Sequence, residues 1–131
     1  MFGHLQFDAV DPQPASLSPM WHDLLRTELG FEGLIITDDM SMLQNSGRDD
    51  LVDPYQNAVR AVAAGNTMLL YVGPVDVPGV VAAVRDAVQA GTIDEALIDD
   101  AAWRILAARR VESGQTGPFV HCFEQCQSII E

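Results

Sequence analysis

The sequence predicts an α/β fold in which parallel strands are covered by helices, and three observations carry that expectation. Short segments apolar on both faces alternate with longer stretches whose apolar residues recur at helical spacing. Most of the helical stretches open on a capping residue or a proline and close at a glycine. The resulting order is strand, helix, strand, helix, strand, helix, helix, and strands apolar all round between amphipathic helices belong to a sheet buried on both sides, the parallel case. Three strands are too few to close into a barrel.

The opening MFGHLQF reads as a short strand ending in polar residues, and DAVDPQPASLSP, with three prolines, reads as a loop. Ser18 and Pro19 supply an N-cap and a first helical residue, after which Met20, Trp21, Leu24, Leu25 and Leu29 form an apolar stripe that stops at Gly30. Residues 34–37 form the second strand, set between Gly33 and the carboxylates of Asp38 and Asp39. The polar stretch LQNSGRDDLVDP is long for a connection, as lids and binding loops are. Asp53-Pro54 opens a helix with Tyr55, Ala58, Val59 and Val62 on one side and Gly65 at its end. Residues 67–72, TMLLYV, make the third strand. Pro78 begins a helix striped by Val80, Val81, Val84, Ala87 and Val88 and ended by Gly91. Thr92 and Glu95 have the spacing of a capping box, leading into a last helix through Ile98, Ala101, Ala102, Ile105 and Leu106. From Val111 onward the pattern dissolves, which divides the chain into 1–110 and a poorly specified tail, 111–131.

Composition narrows the function. The 131 residues are 48% hydrophobic and 20% charged, as expected of one globular domain. A net charge of −12 repels phosphate backbones and anionic lipid surfaces, so neither nucleic acid nor membrane is an expected partner. No apolar run approaches the roughly 20 residues that span a bilayer, and the N-terminus lacks the pattern of a signal peptide, so the chain as given reads as cytoplasmic. All seven basic residues are Arg, which removes P-loop and Schiff-base chemistry. Cys122 and Cys126, with His121 beside them, lack the second pair that a zinc shell requires, so no metal and no cofactor is expected.

The stretch GLIITDDMSM holds the chemistry. An unpaired buried carboxylate costs several kcal/mol, so a strand that runs into Asp38-Asp39 must place them at its end, wet or paired. In parallel α/β folds that end is where ligands bind. Successive strand side chains point to opposite faces, so one of the two is the working group and the other a solvated or turn-capping residue. If Leu34 and Ile36 point inward, Asp38 does too; the sequence leaves that parity open, and a purely turn-capping role fits the same pattern.

The segments PASLSP, LRTELGF and IITDD, preceded by MFGHLQFDAVDP and followed by AVRAVAAGNTMLLYV and AVRDAVQAGTIDEALIDDAAWRILAARR, resemble the family 3 glycoside hydrolases, most closely the bacterial β-N-acetylhexosaminidases, over roughly residues 1 to 110. That resemblance implies a partial (β/α)8 TIM barrel, the last three βα units of a fold that takes about 250 residues when complete. It implies hydrolysis of β-N-acetylglucosaminide-type carbohydrate substrates, in metabolism such as cell-wall recycling. It places the nucleophile on Asp38, which would form a covalent glycosyl-enzyme hydrolysed with net retention. It implies a pocket-floor role for His4 in the first strand, where a hydrogen-bonded structural role fits an isolated strand histidine equally, and Met42 either packs on the apolar face of the sugar or belongs to the core, the more common fate of such a methionine. The general acid/base and the sugar-gripping residues of the family belong to earlier parts of the barrel, so the isolated chain is expected to be inactive. Where the family has glycine-alanine-aspartate before its eighth strand this chain has Gly65-Asn66-Thr67, an expected loss of a carboxylate near the barrel mouth.

Two other readings stand beside it. Asp38 and Asp39 could hold Mg²⁺ in a receiver-like module, since carboxylates at strand ends suit a hard cation; the absent lysine argues against it. An open parallel edge is a template for association, so self-association, or pairing with a missing N-terminal barrel half, is the expected partner relationship.

Overall fold

The computed structural model describes residues 1–114. The fold is α/β, with one short antiparallel and one short parallel strand pair and five α-helices among the described residues. In chain order these are β1 (Gln6–Phe7), β2 (Asp11–Pro14), α1 (Pro19–Asp23), β3 (Ile36–Asp39), α2 (Ser41–Gln44), α3 (Pro54–Ala64), β4 (Met68–Leu70), α4 (Val77–Gln89) and α5 (Glu95–Glu112).

β3 and β4 are parallel, with Ile36 opposite Met68 and Asp39 opposite Leu70 across a register irregularity. On the other side of β3, Phe2 forms a parallel bridge to Thr37: its N–H donates to the Ile36 carbonyl at 2.8 Å and its carbonyl accepts from the Asp38 N–H at 2.8 Å. Three parallel segments therefore lie side by side in sequence order.

The expected first strand over residues 1–7 is corrected. Only Phe2 pairs with β3. The chain bends at His4 and then enters a hairpin, β1 against β2, where a loop was expected. Pro12 and Pro14 hide β2 from a reading of sequence because they have no N–H to donate; a short edge strand tolerates that loss.

Helix starts follow local chemistry closely. The Ser18 hydroxyl accepts the Trp21 N–H at 3.3 Å ahead of α1, which continues into a π-helical turn over Leu24–Glu28. Asp53 accepts from Tyr55 and Gln56 at the head of α3, and Gly65 ends that helix with φ +109. The Thr92–Glu95 capping box does not form. The Thr92 and Ile93 N–H groups turn back onto the Ala87 carbonyl and Ile93 is buried, so the cap moves to Asp94, which accepts from Ala96. α5 runs to Glu112, two residues beyond the expected limit at 110. Residues 115–131 of the expected tail, with His121, Cys122 and Cys126, lie outside the described residues.

The core is the space between α3 and the parallel pair. Leu17, Met40, Leu43, Leu51 and Ala61 form its buried cluster, and Leu69 and Tyr71 from the β4 segment pack against it. Burying an aliphatic side chain of this size stabilises by about 1.5–3 kcal/mol. α4 and α5 bury no residue fully, and Val81 and Trp103 stay exposed along them.

Candidate active site

Burial decides the parity that sequence left open. Ile35 and Thr37 are 2% and 0% exposed, on the face of β3 that meets the helix-packed core. Alternation along β3 then puts Ile36 and Asp38 on the opposite face, with Ile36 opposite Met68 of β4. Asp38 lies at the carboxyl end of the central parallel segment and points away from the helices.

The two neighbouring carboxylates have different work. Asp39 is fully engaged: it accepts the Ser41 hydroxyl at 2.5 Å, the Ser41 N–H at 3.1 Å and the Val72 N–H at 3.2 Å. These donors, the Ser41 hydroxyl foremost, hold its carboxyl below the usual carboxylate range. It caps the turn into α2 and ties that turn to the end of β4. The Asp38 side chain has one bond among the described residues, Oδ1 accepting the Asp39 N–H at 2.8 Å. Its second oxygen accepts none among them.

His4 lies in the bend after Phe2 rather than within a strand. Its Nδ1 is 2.6 Å from Ser16 Oγ and its Nε2 is 2.9 Å from the Asp39 carbonyl oxygen. Both ring nitrogens are thus engaged inside the chain. The Met-Ser-Met that follows the carboxylates is split by function: Met40 is 1% exposed and in the core, whereas Met42, on α2, is 53% exposed. Ser16 and Ser41, the partners of His4 and Asp39, were not singled out by sequence reasoning; their only signal is a small hydroxyl residue within each motif.

The long connection after α2 is pinned rather than free. Leu51 is buried in the core and its carbonyl accepts from Asn57 Nδ2 at 2.8 Å. Arg48 holds Asp50 in a two-point ion pair at 2.9 and 3.0 Å and reaches Gln6 of β1 at 2.6 Å. Arg60 of α3 donates to the Asp50 carbonyl at 3.1 Å and to Gln13 of β2. The hairpin and this loop are tied together by two arginines that the sequence reading passed over.

Thr67 corrects the expectation of a lost carboxylate near the mouth. It sits at the opposite, amino end of the parallel pair, where its hydroxyl accepts from the Ile35 N–H and donates to the Ile35 carbonyl, both at 2.7 Å. A change at this position alters the start of the sheet, not the end that carries Asp38. His22 is the other described histidine apart from the site. It is buried, its Nδ1 donates to the Ser18 carbonyl at 2.8 Å, and burial pushes its pKa down. Among the described residues no group of three His, Cys, Asp or Glu could hold a metal ion, and no helix is long and apolar enough to cross a membrane.

Comparison with known proteins gives a consistent picture. The family model described as the glycosyl hydrolase family 3 N terminal domain matches residues 1–108. A beta-hexosaminidase of Idiomarina loihiensis is 42% identical over 71 residues, which are 53% of this chain and 21% of that protein. One from Chromobacterium violaceum is 41% identical over 71 residues, 53% of this chain and 19% of its own length. The matched part of the chain therefore spans about a fifth of these curated relatives. Among solved structures, a glycoside hydrolase family 3 beta-N-acetylglucosaminidase from a Paenibacillus species superposes with a TM-score of 0.72 at 32% identity, covering 90% of this chain and 23% of that one. A beta-N-acetylhexosaminidase from Beutenbergia cavernae gives 0.63 at 37% identity, covering 76% and 29%.

Proposed function

The chain belongs to glycosyl hydrolase family 3, and from that premise we propose that it is part of a retaining glycosidase acting on terminal β-linked N-acetylhexosamine, with Asp38 as nucleophile. In this reading residues 1–110 are the last three βα units of a (β/α)8 barrel, and residues 111–131 are an appended tail. The observation that carries it is the division of labour at the strand end: Asp39 is consumed by Ser41 and Val72, and Asp38, facing away from the helices, keeps an oxygen available.

A carboxylate so placed can attack an anomeric carbon as the bond to the leaving oxygen breaks, giving a glycosyl ester that water later hydrolyses with net retention. The leaving oxygen must be protonated. When the acid is a second carboxyl it stands about 5–5.5 Å from the nucleophile, and Asp39 cannot fill that role because it faces the other way and is already occupied. The acid/base is therefore proposed to come from an earlier part of the barrel than these three βα units, which leaves the chain by itself inactive toward ordinary glycosides. Met42, exposed on α2 just past the carboxylates, offers an apolar surface for the sugar face. His4 supports the floor from beneath.

A fluoro-substituted β-N-acetylglucosaminyl fluoride tests the reading, because fluoride leaves without a proton. Intact-mass and peptide mapping should find one glycosyl adduct, on Asp38, absent from Asp38→Asn. An adduct elsewhere, or none, would sink the assignment. Turnover of an aryl N-acetylglucosaminide abolished by Asp38→Asn would instead show that the chain carries its own acid.

A further inference from the structure

His4 ends in two bonds, and chemistry fixes the direction of the one to a carbonyl oxygen. A carbonyl oxygen only accepts, so the proton of the imidazole lies on Nε2, which donates to Asp39 O at 2.9 Å. Nδ1 lies 2.6 Å from the Ser16 hydroxyl, and in the Nε2–H tautomer it accepts from that hydroxyl. Ser16 is itself fully buried and immobilised: its N–H donates to the Gly3 carbonyl at 3.2 Å and its carbonyl accepts from Asn66 Nδ2 at 2.7 Å. At the far end, every polar atom of Asp39 is gripped. Its carbonyl is held by His4, its carboxylate by Ser41 and Val72, and its N–H by the Asp38 carboxylate.

The geometry points to His4 as a positioning residue: an imidazole that donates from Nε2, braced by Ser16, that fixes residue 39 and through it the direction of the Asp38 carboxylate, with neither ring nitrogen left to grip a sugar. The inference rests on the reading of Asp38 as the working group. Its consequence is that the strand end is set from behind, by a chain of bonds running from Asn66 through Ser16 and His4 to the Asp38–Asp39 pair.

Long-range ¹⁵N–¹H spectra of the full chain should show His4 with a proton on Nε2; a ring protonated at Nδ1 alone overturns the inference. His4→Gln keeps an N–H near the place of Nε2, whereas His4→Phe keeps a flat ring and loses the donor. In His4→Phe the Asp38 carboxyl ¹³C signal should move and the Asp39 and Met40 amides should exchange about tenfold faster, the scale of one lost hydrogen bond. In His4→Gln both should stay near wild type. A purely structural role would move amides throughout the chain in both variants. An unchanged Asp38 signal in a folded His4→Phe overturns the inference. If that variant does not fold, a folded His4→Gln with a displaced Asp38 signal overturns it equally. The two readings fail separately. Wild type that resists the glycosyl fluoride but shows these His4 signatures removes the nucleophile and leaves the positioning role. Equal labelling rates in wild type and folded His4→Phe remove the positioning role alone.

Discussion

At the residue scale, the adjacent aspartates show how two identical side chains acquire different chemistry from their surroundings. The Asp39 carboxyl accepts from three donors, which lower its pKa, and the Asp38 carboxyl accepts from one. A carboxyl held below its unfolded pKa contributes stability above that pKa and loses it as pH falls through the folded value. Asp11, bonded to the buried Ser18 hydroxyl at 2.5 Å and to the Gln13 N–H, is lowered in the same way, the Ser18 bond foremost. His22 is lowered too, by burial, but for a base the sign acts at higher pH: the unfolded chain binds its proton near 6.5 and the folded chain does not, so stability falls as pH drops below that value. Urea midpoints measured against pH should therefore decline in two stages, the first beginning near 6.5 and the second below about 4. His22→Phe should flatten the first stage alone and Asp11→Asn should weaken the second. A curve flat from neutrality down to pH of about 4 would contradict the burial of a neutral His22.

At the element scale, local signals were legible where one residue acts on its immediate neighbours. Ser18 before Pro19 and Asp53 before Pro54 cap the helices that follow them, because a side-chain oxygen two or three residues from an unpaired N–H needs nothing else to find it. Gly65 ends α3 in the left-handed region, at φ +109, with the His22 ring against it. Gly65→Ala should destabilise by about 1 kcal/mol or more, read as a fall in urea midpoint at constant slope. Leu51 marks where the local signal failed. It stands in a polar stretch that reads as a binding loop, yet it is buried in the core and its carbonyl is held by Asn57. Leu51→Ala should cost about 2–5 kcal/mol by the same measurement, far more than a mobile lid would allow. The β1–β2 hairpin escaped for a related reason. Its pairing depends on a partner strand several residues away, and its prolines carry the signature of a loop.

At the scale of the whole molecule, the described chain has a core on one side of its parallel strands only. Ile35 and Thr37 are closed off, whereas Met68 of β4, together with Leu5 and Val72, is exposed. Apolar surface of this kind beside a sheet edge favours association. Sedimentation over a rising concentration series should show species heavier than one chain, and Met68→Lys should shift them toward the monomer; a monomer at every concentration would argue that this face needs no partner. The sequence by itself determined the alternation of strands and helices from α1 onward, the caps at Ser18 and Asp53, the net negative charge, the family and the pair of aspartates at the end of a strand, because each of these rests on residues close together or on composition. Only the tertiary structure decided which aspartate turns away from the helices, which one is consumed by Ser41 and Val72, and that His4 reaches back to the carbonyl of Asp39. Alternation along a strand says that neighbours face opposite ways, and it takes a layer packed against one face to say which way is in.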